Sequence, residues 1–116
     1  TMKVSNCLES DLLVRYPPNW SDKVKKDYYY SNNANCTWSF SSNTKLHLVF
    51  SRFTTQYKGD YLAVYDGNTT YSRPLGKFSG STLPLPVTSN STQLYARFIT
   101  DGSGVERGFL ARYAGI

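Results

Sequence analysis

The chain has few of the residues on which catalytic centres most often rely. It contains one histidine, His47, and two cysteines, with no Cys-x-x-Cys pair. A zinc centre needs several such ligands, and a histidine-centred relay needs a nucleophile and an orienting acid around the histidine. No glycine-rich phosphate loop precedes a helix pattern, so nucleotide chemistry has no support either. The sequence therefore predicts a protein that is not an enzyme.

Long apolar runs are also lacking. No stretch approaches the roughly 20 apolar residues that a membrane-spanning helix needs, so we expect no membrane insertion of this domain. No leader peptide is evident, and we expect any such segment to have been removed or left out of the sequence. A chain of 116 residues is expected to form one domain, residues 1–116, around a single two-layer core.

Charged residues are scarce at 18%, whereas aromatic residues are abundant at 16% and include ten tyrosines. This composition is typical of a secreted all-β domain rather than of a cytosolic enzyme. The formal net charge of +5 either attracts sulfated or sialylated glycans and acidic proteins, or is a solubility charge spread over the surface. Nucleic acid is not an expected partner, because the tyrosines fall in strand patterns rather than on a base-stacking platform.

Short alternating patterns from Cys36 onward, separated by clusters of Asn, Gly, Pro and Ser, predict β-strands. The predicted strands are 36–40, 46–53, 61–65, 74–78, 93–99 and 108–113, with one or two more in the N-terminal third, where segment 21–27 is predicted to be a loop. The residues predicted to face inward are Trp38, Leu46, Leu48, Phe50, Phe98 and Phe109. His47 lies between two inward positions and is predicted to face outward.

Two aspartates stand at the ends of such strands. Asp60 opens the pattern YLAVY, and Asp101 follows the pattern LYARFIT. If the two strands are antiparallel neighbours, both carboxylates meet at one end of a sheet. Loops at such an end hold binding sites on a rigid scaffold, so this layout indicates a binding module.

Several segments resemble the CUB domain, an extracellular β-sandwich module. In the family's order they are NNANCTWSF (32–40), LHLVFSRF (46–53), GDYLAVYDG (59–67), LGKFSGSTLP (75–84) and the closing strands TSNSTQLYARFITDGSGVERGFLARY (88–113). The resemblance covers roughly residues 30–113, whereas residues 1–30 diverge from the family pattern. It implies an all-β fold, an antiparallel jelly-roll-like β-sandwich.

The resemblance also implies a disulfide between Cys7 and Cys36, which match the family's first cysteine pair. In the chain-entropy model, closing a loop of that length contributes about 3–4 kcal/mol. The alternative is a pair of free buried thiols. The family's usual second disulfide is absent, since the family's cysteine position just before Asp60 falls within Tyr57 to Gly59, which contains no cysteine.

Four Asn-x-Ser/Thr triplets begin at Asn19, Asn35, Asn68 and Asn90. They predict passage through a secretory route, with glycans first at Asn68 and Asn90. We therefore expect a secreted glycoprotein or the extracellular, cell-surface part of a membrane protein.

The family's calcium-binding members imply a metal site here. Asp60 and Asp101 match two of the family's carboxylate ligands, and Ser103 with the Gly102 carbonyl would add oxygens. The family's glutamate falls on Thr55 or Gln56, so one negative charge is lost and Ca²⁺ binding should be weak. In the alternative interpretation, the two aspartates accept hydrogen bonds from loop amides or pair with an arginine.

The predicted function is an extracellular interaction module that binds a protein partner through Asp60, Asp101 and Tyr61. Family members use this loop cluster, often with calcium, to hold a basic side chain of the partner. One alternative is a module that binds carbohydrate or sulfated glycans through tyrosines and arginines on a sheet face. Another is an ancillary domain of a secreted protease or receptor.

Overall fold

The computed structural model describes residues 2–5, 13–15, 30 and 32–116, and all regular elements within these ranges are β-strands. The strands are β1 (Met2–Ser5), β2 (Leu13–Arg15), β3 (Asn35–Ser41), β4 (Leu46–Thr54), β5 (Tyr61–Asp66), β6 (Arg73–Phe78), β7 (Val87–Thr88), β8 (Gln93–Ile99) and β9 (Gly108–Gly115). In this part of the chain no helix has the length and apolar character to cross a membrane.

Two sheets form the domain. One has five strands in the order β1-β3-β8-β5-β6, and the other has four in the order β2-β9-β4-β7. Neighbouring strands are antiparallel, except that β2 runs parallel to β9. The prediction of an all-β sandwich of antiparallel strands is therefore confirmed.

The core lies between the sheets and is strongly aromatic. Trp38, Leu46, Leu48, Phe50, Phe98 and Phe109 are all buried, as predicted from the strand alternation. Phe109 contacts the rings of Phe50, Phe53 and Phe98 at centroid distances of 6.0, 5.9 and 5.4 Å. Each such ring pair adds about 0.5–1.5 kcal/mol beyond the apolar area it buries.

The six strands predicted from Cys36 onward are observed, each within two residues of its predicted bounds. Strand β7 was not predicted, because two residues beside Pro86 are too short to show alternation. His47 lies on the opposite face of β4 from its buried neighbours Leu46 and Leu48, as expected.

Three predictions for the N-terminal third lie outside the described residues. They are the loop at 21–27, the glycosylation site at Asn19 and the part played by Cys7 in a disulfide. Cys36 is buried and disulfide-bonded. Its pairing with Cys7 stays a prediction.

The strand register determines which loops meet. In one sheet Tyr61 of β5 lies opposite Ile99 of β8. In the other sheet Thr54 of β4 lies opposite Gly108 of β9. The start of β5, the end of β8 and the end of β4 therefore share one end of the sandwich. Asp66, at the other end of β5, lies at the opposite end.

Candidate functional site

Two carboxylates meet at the shared end of the sandwich. Asp60 immediately precedes β5, and Asp101 follows β8 by two residues. Because these strands are antiparallel neighbours, the Asp101 backbone N–H donates a hydrogen bond of 2.8 Å to Asp60 Oδ1. Asp60 is fully buried, whereas Asp101 is half-buried. Together with Tyr30, Gln56 and Ser103 they form what we name the Asp60 cluster.

Tyr30 links the two sides of the Asp60 cluster through its hydroxyl. The hydroxyl donates a 2.5 Å hydrogen bond to Asp60 Oδ2 and accepts one of 2.9 Å from the Gln56 backbone N–H. Burial raises the pKa of Tyr30, and the hydrogen bond to Asp60 raises it further. The phenol therefore remains a protonated donor to the buried carboxylate at neutral pH.

The turn between β4 and β5 is held in a narrow shape. Gly59 N–H donates to the Tyr57 carbonyl at 2.9 Å, and Asp60 N–H donates to the Gln56 carbonyl at 3.2 Å. Lys58, which lies between Tyr57 and Gly59 in this turn, has a φ of 68°. Such a conformation costs a non-glycine residue free energy and persists where surrounding contacts enforce it.

Ser79 supplies part of that enforcement. Its Oγ donates a 2.6 Å hydrogen bond to the Asp60 carbonyl and accepts one of 2.8 Å from the Lys58 backbone N–H. Thr55 adds a second tie, because its Oγ1 accepts a 2.9 Å hydrogen bond from Gly80 N–H. The turn is thus fastened to residues 79–80 of the loop after β6.

The side chain of Gln56 presents a buried oxygen without a partner. Among the described residues Gln56 Oε1 has no hydrogen-bond donor, although it is shielded from solvent. A Cβ atom added to Gly59 would lie 2.6 Å from Gln56 Oε1 and would overlap Asp101 Oδ2. On its other side the Gln56 amide packs against Gly104, which has a φ of +82°. The amide thus lies between two glycines, with its oxygen close to the Asp101 carboxylate.

This arrangement fits a hard cation. Calcium takes six to eight oxygen ligands, and carboxylate and carboxamide oxygens are among those it prefers. The fit rests on one observation, the unpartnered carboxamide oxygen of Gln56 beside the Asp101 carboxylate. A buried oxygen without a hydrogen bond costs free energy, and a bound cation would offset that cost. Within the described ranges no three residues of the types His, Cys, Asp and Glu are grouped to hold a metal. The Asp60 cluster thus offers two carboxylates and one amide oxygen.

The hydrogen bonds agree with one part of the alternative interpretation. Asp60 accepts from a loop amide and from Tyr30, and Asp101 Oδ1 accepts from the Ser103 backbone N–H at 3.1 Å. Over the described part of the chain, the hydrogen bonds to these two carboxylates come from amides and a phenol, not from an arginine. Ser103 therefore orients the Asp101 carboxylate through its backbone.

The remaining predicted residues are placed differently. Gly102 is exposed, and a Cβ added to it would lie 3.7 Å from Asn33 Oδ1. Tyr61 follows Asp60 in the chain, but its ring lies on the outer face of the five-stranded sheet, where Lys77 Nζ is 4.2 Å from the ring centroid. Tyr61 thus belongs to a different surface from the Asp60 cluster.

Sequence reasoning missed Tyr30. It also did not decide whether Thr55 or Gln56 occupies the position of the family's glutamate. The structure distinguishes these two residues, because the Thr55 side chain binds backbone groups whereas the Gln56 amide faces Asp101. Tyr30 ends a run of three tyrosines, and no local pattern in that run marks which ring is buried. Its partners Gln56 and Asp60 lie 26 and 30 residues away.

The structure thus shows a β-sandwich with a cluster of oxygen-bearing side chains in the loops at one end. The sequence model of the CUB domain matches residues 18–113. The chain therefore belongs to the CUB domain family.

Individual relatives are consistent with this membership. Tolloid-like protein 2 of Mus musculus is 35% identical over 100 residues, which are 81% of this chain and 9% of that protein. Astacin-like metalloendopeptidase of Gallus gallus is 39% identical over 90 residues, which are 72% of this chain and 22% of that protein. The chain thus spans less than a quarter of the length of these curated relatives.

Among solved structures, the chain is similar to the MASP-1 CUB2 domain bound to Ca²⁺. The TM-score is 0.67 at 24% sequence identity, and the match covers 77% of this chain and 86% of that one. At this level of identity the similarity concerns the fold.

Proposed function

We propose that the domain is an extracellular, non-catalytic interaction module whose Asp60 cluster binds calcium weakly and holds a basic side chain of a protein partner. The observation that carries the proposal is the buried, unpartnered Oε1 of Gln56 beside the Asp101 carboxylate. Burying an oxygen without a hydrogen bond is unfavourable, so the site is better satisfied when a cation is present.

Calcium is the cation that this set of ligands favours. Asp60, Asp101 and Gln56 would hold it, and the bound ion would supply positive charge that fixes the loops around them. The MASP-1 domain with the same fold is described as bound to Ca²⁺. Two carboxylates instead of three lower the attraction, so we expect a Kd in the upper micromolar to millimolar range.

A partner would reach the site through Asp101. Asp60 is fully buried and out of a partner's reach; besides its share in holding the ion, it positions the Asp101 backbone and the Tyr30 hydroxyl. Beside the cluster the Tyr57 side chain is 69% exposed. Exposed tyrosines are frequent anchors at protein interfaces. The carboxylate thus provides charge for a lysine or arginine, and Tyr57 provides apolar contact area.

An extracellular location is supported by two features. Cys36 is disulfide-bonded, which is typical of oxidising compartments. Three of the glycosylation triplets, at Asn35, Asn68 and Asn90, begin at exposed asparagines. The fourth, at Asn19, lies outside the described residues. Because the curated relatives are far longer than the chain, we also propose that it acts as an ancillary domain of a larger secreted or cell-surface protein.

Thermal unfolding at rising calcium tests the metal site. A ligand that binds only the folded state adds about 1.4 kcal/mol of stability at roughly ten times its Kd. We expect the Tm of the native chain to rise with calcium and that of Asp101→Ala to stay constant. Gln56→Glu supplies the third carboxylate and should increase the shift.

Asp66→Asn is the matched control, because it removes a carboxylate from the opposite end of β5 and should leave the calcium shift unchanged. A native Tm that does not respond to calcium would exclude the metal.

The partner site is tested separately with a lysine analogue, N-acetyl-lysine methylamide, followed by NMR. We expect amide shifts at Asp101 and Ser103 that are larger in calcium than in EDTA. Shifts spread evenly over the surface would contradict the proposed site.

A further inference from the structure

The sequence contains two Asp-Gly pairs, Asp66–Gly67 and Asp101–Gly102. In such a pair the glycine nitrogen can attack the side-chain carboxyl carbon of the aspartate. Glycine has no Cβ to hinder the approach and reaches the necessary backbone angles at little cost. The product is a succinimide, and its hydrolysis gives isoaspartate. Whether this reaction proceeds depends on how the fold holds the carboxyl group and the glycine nitrogen.

The Asp66 side chain is held away from Gly67. Its Oδ2 accepts a hydrogen bond of 2.9 Å from the Asn90 N–H, and its Oδ1 accepts one of 3.1 Å from the Ser91 N–H and one of 2.6 Å from the Ser91 hydroxyl. These donors lie 24 and 25 residues further along the chain. Space beside Gly67 is also lacking, because an added Cβ would overlap the Ser72 side chain. Ring closure at this pair would break three hydrogen bonds.

The Asp101 side chain is folded back over its own glycine. Its Oδ1 accepts a hydrogen bond of 3.1 Å from the Ser103 N–H, two residues further along, as in an Asx-turn. Among the described residues, Asp101 Oδ2 accepts no hydrogen bond and the Gly102 N–H donates none. Gly102 is exposed, and within the described ranges a Cβ added to it would have one neighbouring atom, Asn33 Oδ1 at 3.7 Å. The reacting nitrogen and carbon therefore belong to one turn with open space beside it.

The backbone before the reacting atoms is anchored independently of them. The Asp101 N–H donates a 2.8 Å hydrogen bond to Asp60 Oδ1, and the Asp101 carbonyl accepts one of 2.8 Å from the Asn33 N–H. Ring closure makes and breaks no covalent bond at either of these groups. The side-chain hydrogen bond lost at Asp101 is the single one from Ser103, against three at Asp66.

We propose that Asp101–Gly102 is a site of spontaneous isoaspartate formation in the folded domain, whereas the fold protects Asp66–Gly67. The Gly102 nitrogen forms a bond to Asp101 Cγ, and one carboxylate oxygen leaves as water with the amide proton and one proton from solvent. Water then adds to the Asp101 backbone carbonyl and breaks its bond to the Gly102 nitrogen, which returns the proton to solvent. The net reaction is an isomerisation that needs no oxidant, reductant or enzyme.

The product would change the Asp60 cluster. In isoaspartate the main chain runs through Cγ, so it is longer by one methylene carbon, and the former backbone carbonyl becomes the free carboxylate. The negative charge therefore leaves its place beside Gln56 Oε1. The resulting loss of calcium and partner binding rests on the proposed function, whereas the modification itself does not.

Prolonged incubation of the folded domain at neutral pH in EDTA tests the proposal, since no metal then holds the carboxylates. After enzymatic deglycosylation and tryptic digestion the two pairs lie on different peptides, 59–77 and 98–107. Electron-transfer fragmentation locates isoaspartate, whose mass equals that of aspartate. We expect isoaspartate to form at Asp101 at least about tenfold faster than at Asp66. Equal rates, or a faster reaction at Asp66, would overturn the proposal.

The same incubation in urea is the control for the fold. Unfolding removes the hydrogen bonds around both carboxylates, so the two pairs should react at rates within about twofold of each other. A preference for Asp101 that persisted in urea would show that the local sequence, not the folded loop, causes it, and this would refute the proposed protection of Asp66.

Two substitutions test the two halves of the contrast. Gly102→Ala places a Cβ beside the attacking nitrogen and should slow the reaction at Asp101 by about tenfold or more. Gly102, unlike Gly67, has no positive φ, so alanine fits without backbone strain and the Tm should not change. Ser91→Ala removes a donor from Asp66 and should speed the reaction there by about threefold. An unchanged rate at Asp101 in Gly102→Ala, or at Asp66 in Ser91→Ala, would contradict the assigned cause.

Discussion

Strand β5 carries an aspartate at each end, and the two carboxylates have opposite surroundings. Asp66 is partly exposed and accepts hydrogen bonds from the Asn90 N–H at 2.9 Å, the Ser91 N–H at 3.1 Å and the Ser91 hydroxyl at 2.6 Å. Asp60 is fully buried and accepts from the Tyr30 hydroxyl and the Asp101 N–H. The same residue type thus closes a surface turn at one end and organises a buried network at the other.

The difference lies in what each network leaves unsatisfied. At the Asp66 end, three donors form hydrogen bonds to the Asp66 carboxylate. The role of this carboxylate is structural. At the Asp60 end, the network continues to Gln56, whose side-chain oxygen is buried and unpartnered. A site that retains an unsatisfied oxygen can gain free energy from a ligand, whereas a saturated one cannot. This contrast, more than the number of carboxylates, is the reason why we propose the Asp60 end of the sandwich as the binding end.

Removing the two carboxylates in turn gives the largest expected effect. Asp60→Ala leaves the Tyr30 hydroxyl and the Asp101 N–H buried without an acceptor, so we expect a loss of about 3 kcal/mol or more in the free energy of unfolding. Asp66→Ala removes a solvated turn contact and should cost about 1 kcal/mol or less. Urea unfolding without reductant measures both. Similar losses in the two variants would refute the contrast between the ends.

The Tyr30 hydroxyl can be removed without removing its ring, and the expected effect is intermediate. Tyr30→Phe leaves Asp60 with one donor fewer and the Gln56 N–H without its acceptor, at a cost of about 1–2 kcal/mol. Burial and the Asp60 hydrogen bond raise the pKa of Tyr30. The folded state therefore keeps this proton above pH 10 while the unfolded chain loses it, and stability falls as pH rises through that range.

Unfolding free energies measured between pH 8 and pH 11 should decline less steeply in Tyr30→Phe than in the native chain. The exposed Tyr71 provides the control, because Tyr71→Phe should leave the slope unchanged. Identical slopes for the native chain and Tyr30→Phe would contradict the assigned hydrogen bonds.

The smallest effect is expected from acid at the Asp66 end. Burial alone would raise the pKa of Asp66, but the hydrogen bonds from Ser91 and Asn90 and the charge of Arg73 outweigh it and leave the pKa below its ordinary value of 3.8. The stabilisation by Asp66 is therefore present above about pH 4 and is lost as pH falls through its lowered pKa. We expect Asp66→Asn to reduce stability slightly at pH 6 and not at pH 2, measured by thermal unfolding. A larger effect of the substitution at pH 2 would contradict this sign.

Much of the fold followed from local pattern. Alternation identified β3, β4 and β8 and their buried faces, because side chains along a strand point alternately to opposite sides of the sheet. The same reasoning brought Asp60 and Asp101 together, since it required only that two strands be antiparallel neighbours. Strand β7 was not predicted, because a strand of two residues is too short to show an alternating pattern.

The functional details depended on contacts between distant parts of the chain. Nothing near Tyr30 indicates that its hydroxyl bridges Gln56 and Asp60, and the choice between Thr55 and Gln56 required the shape of the turn. Sequence alone thus determined six of the strands from Cys36 onward, the aromatic core and the pair of aspartates, because these follow from a period of two residues. The tertiary structure alone decided which oxygens are satisfied and which remain available, because hydrogen bonds between residues 26 to 66 positions apart depend on how the loops close.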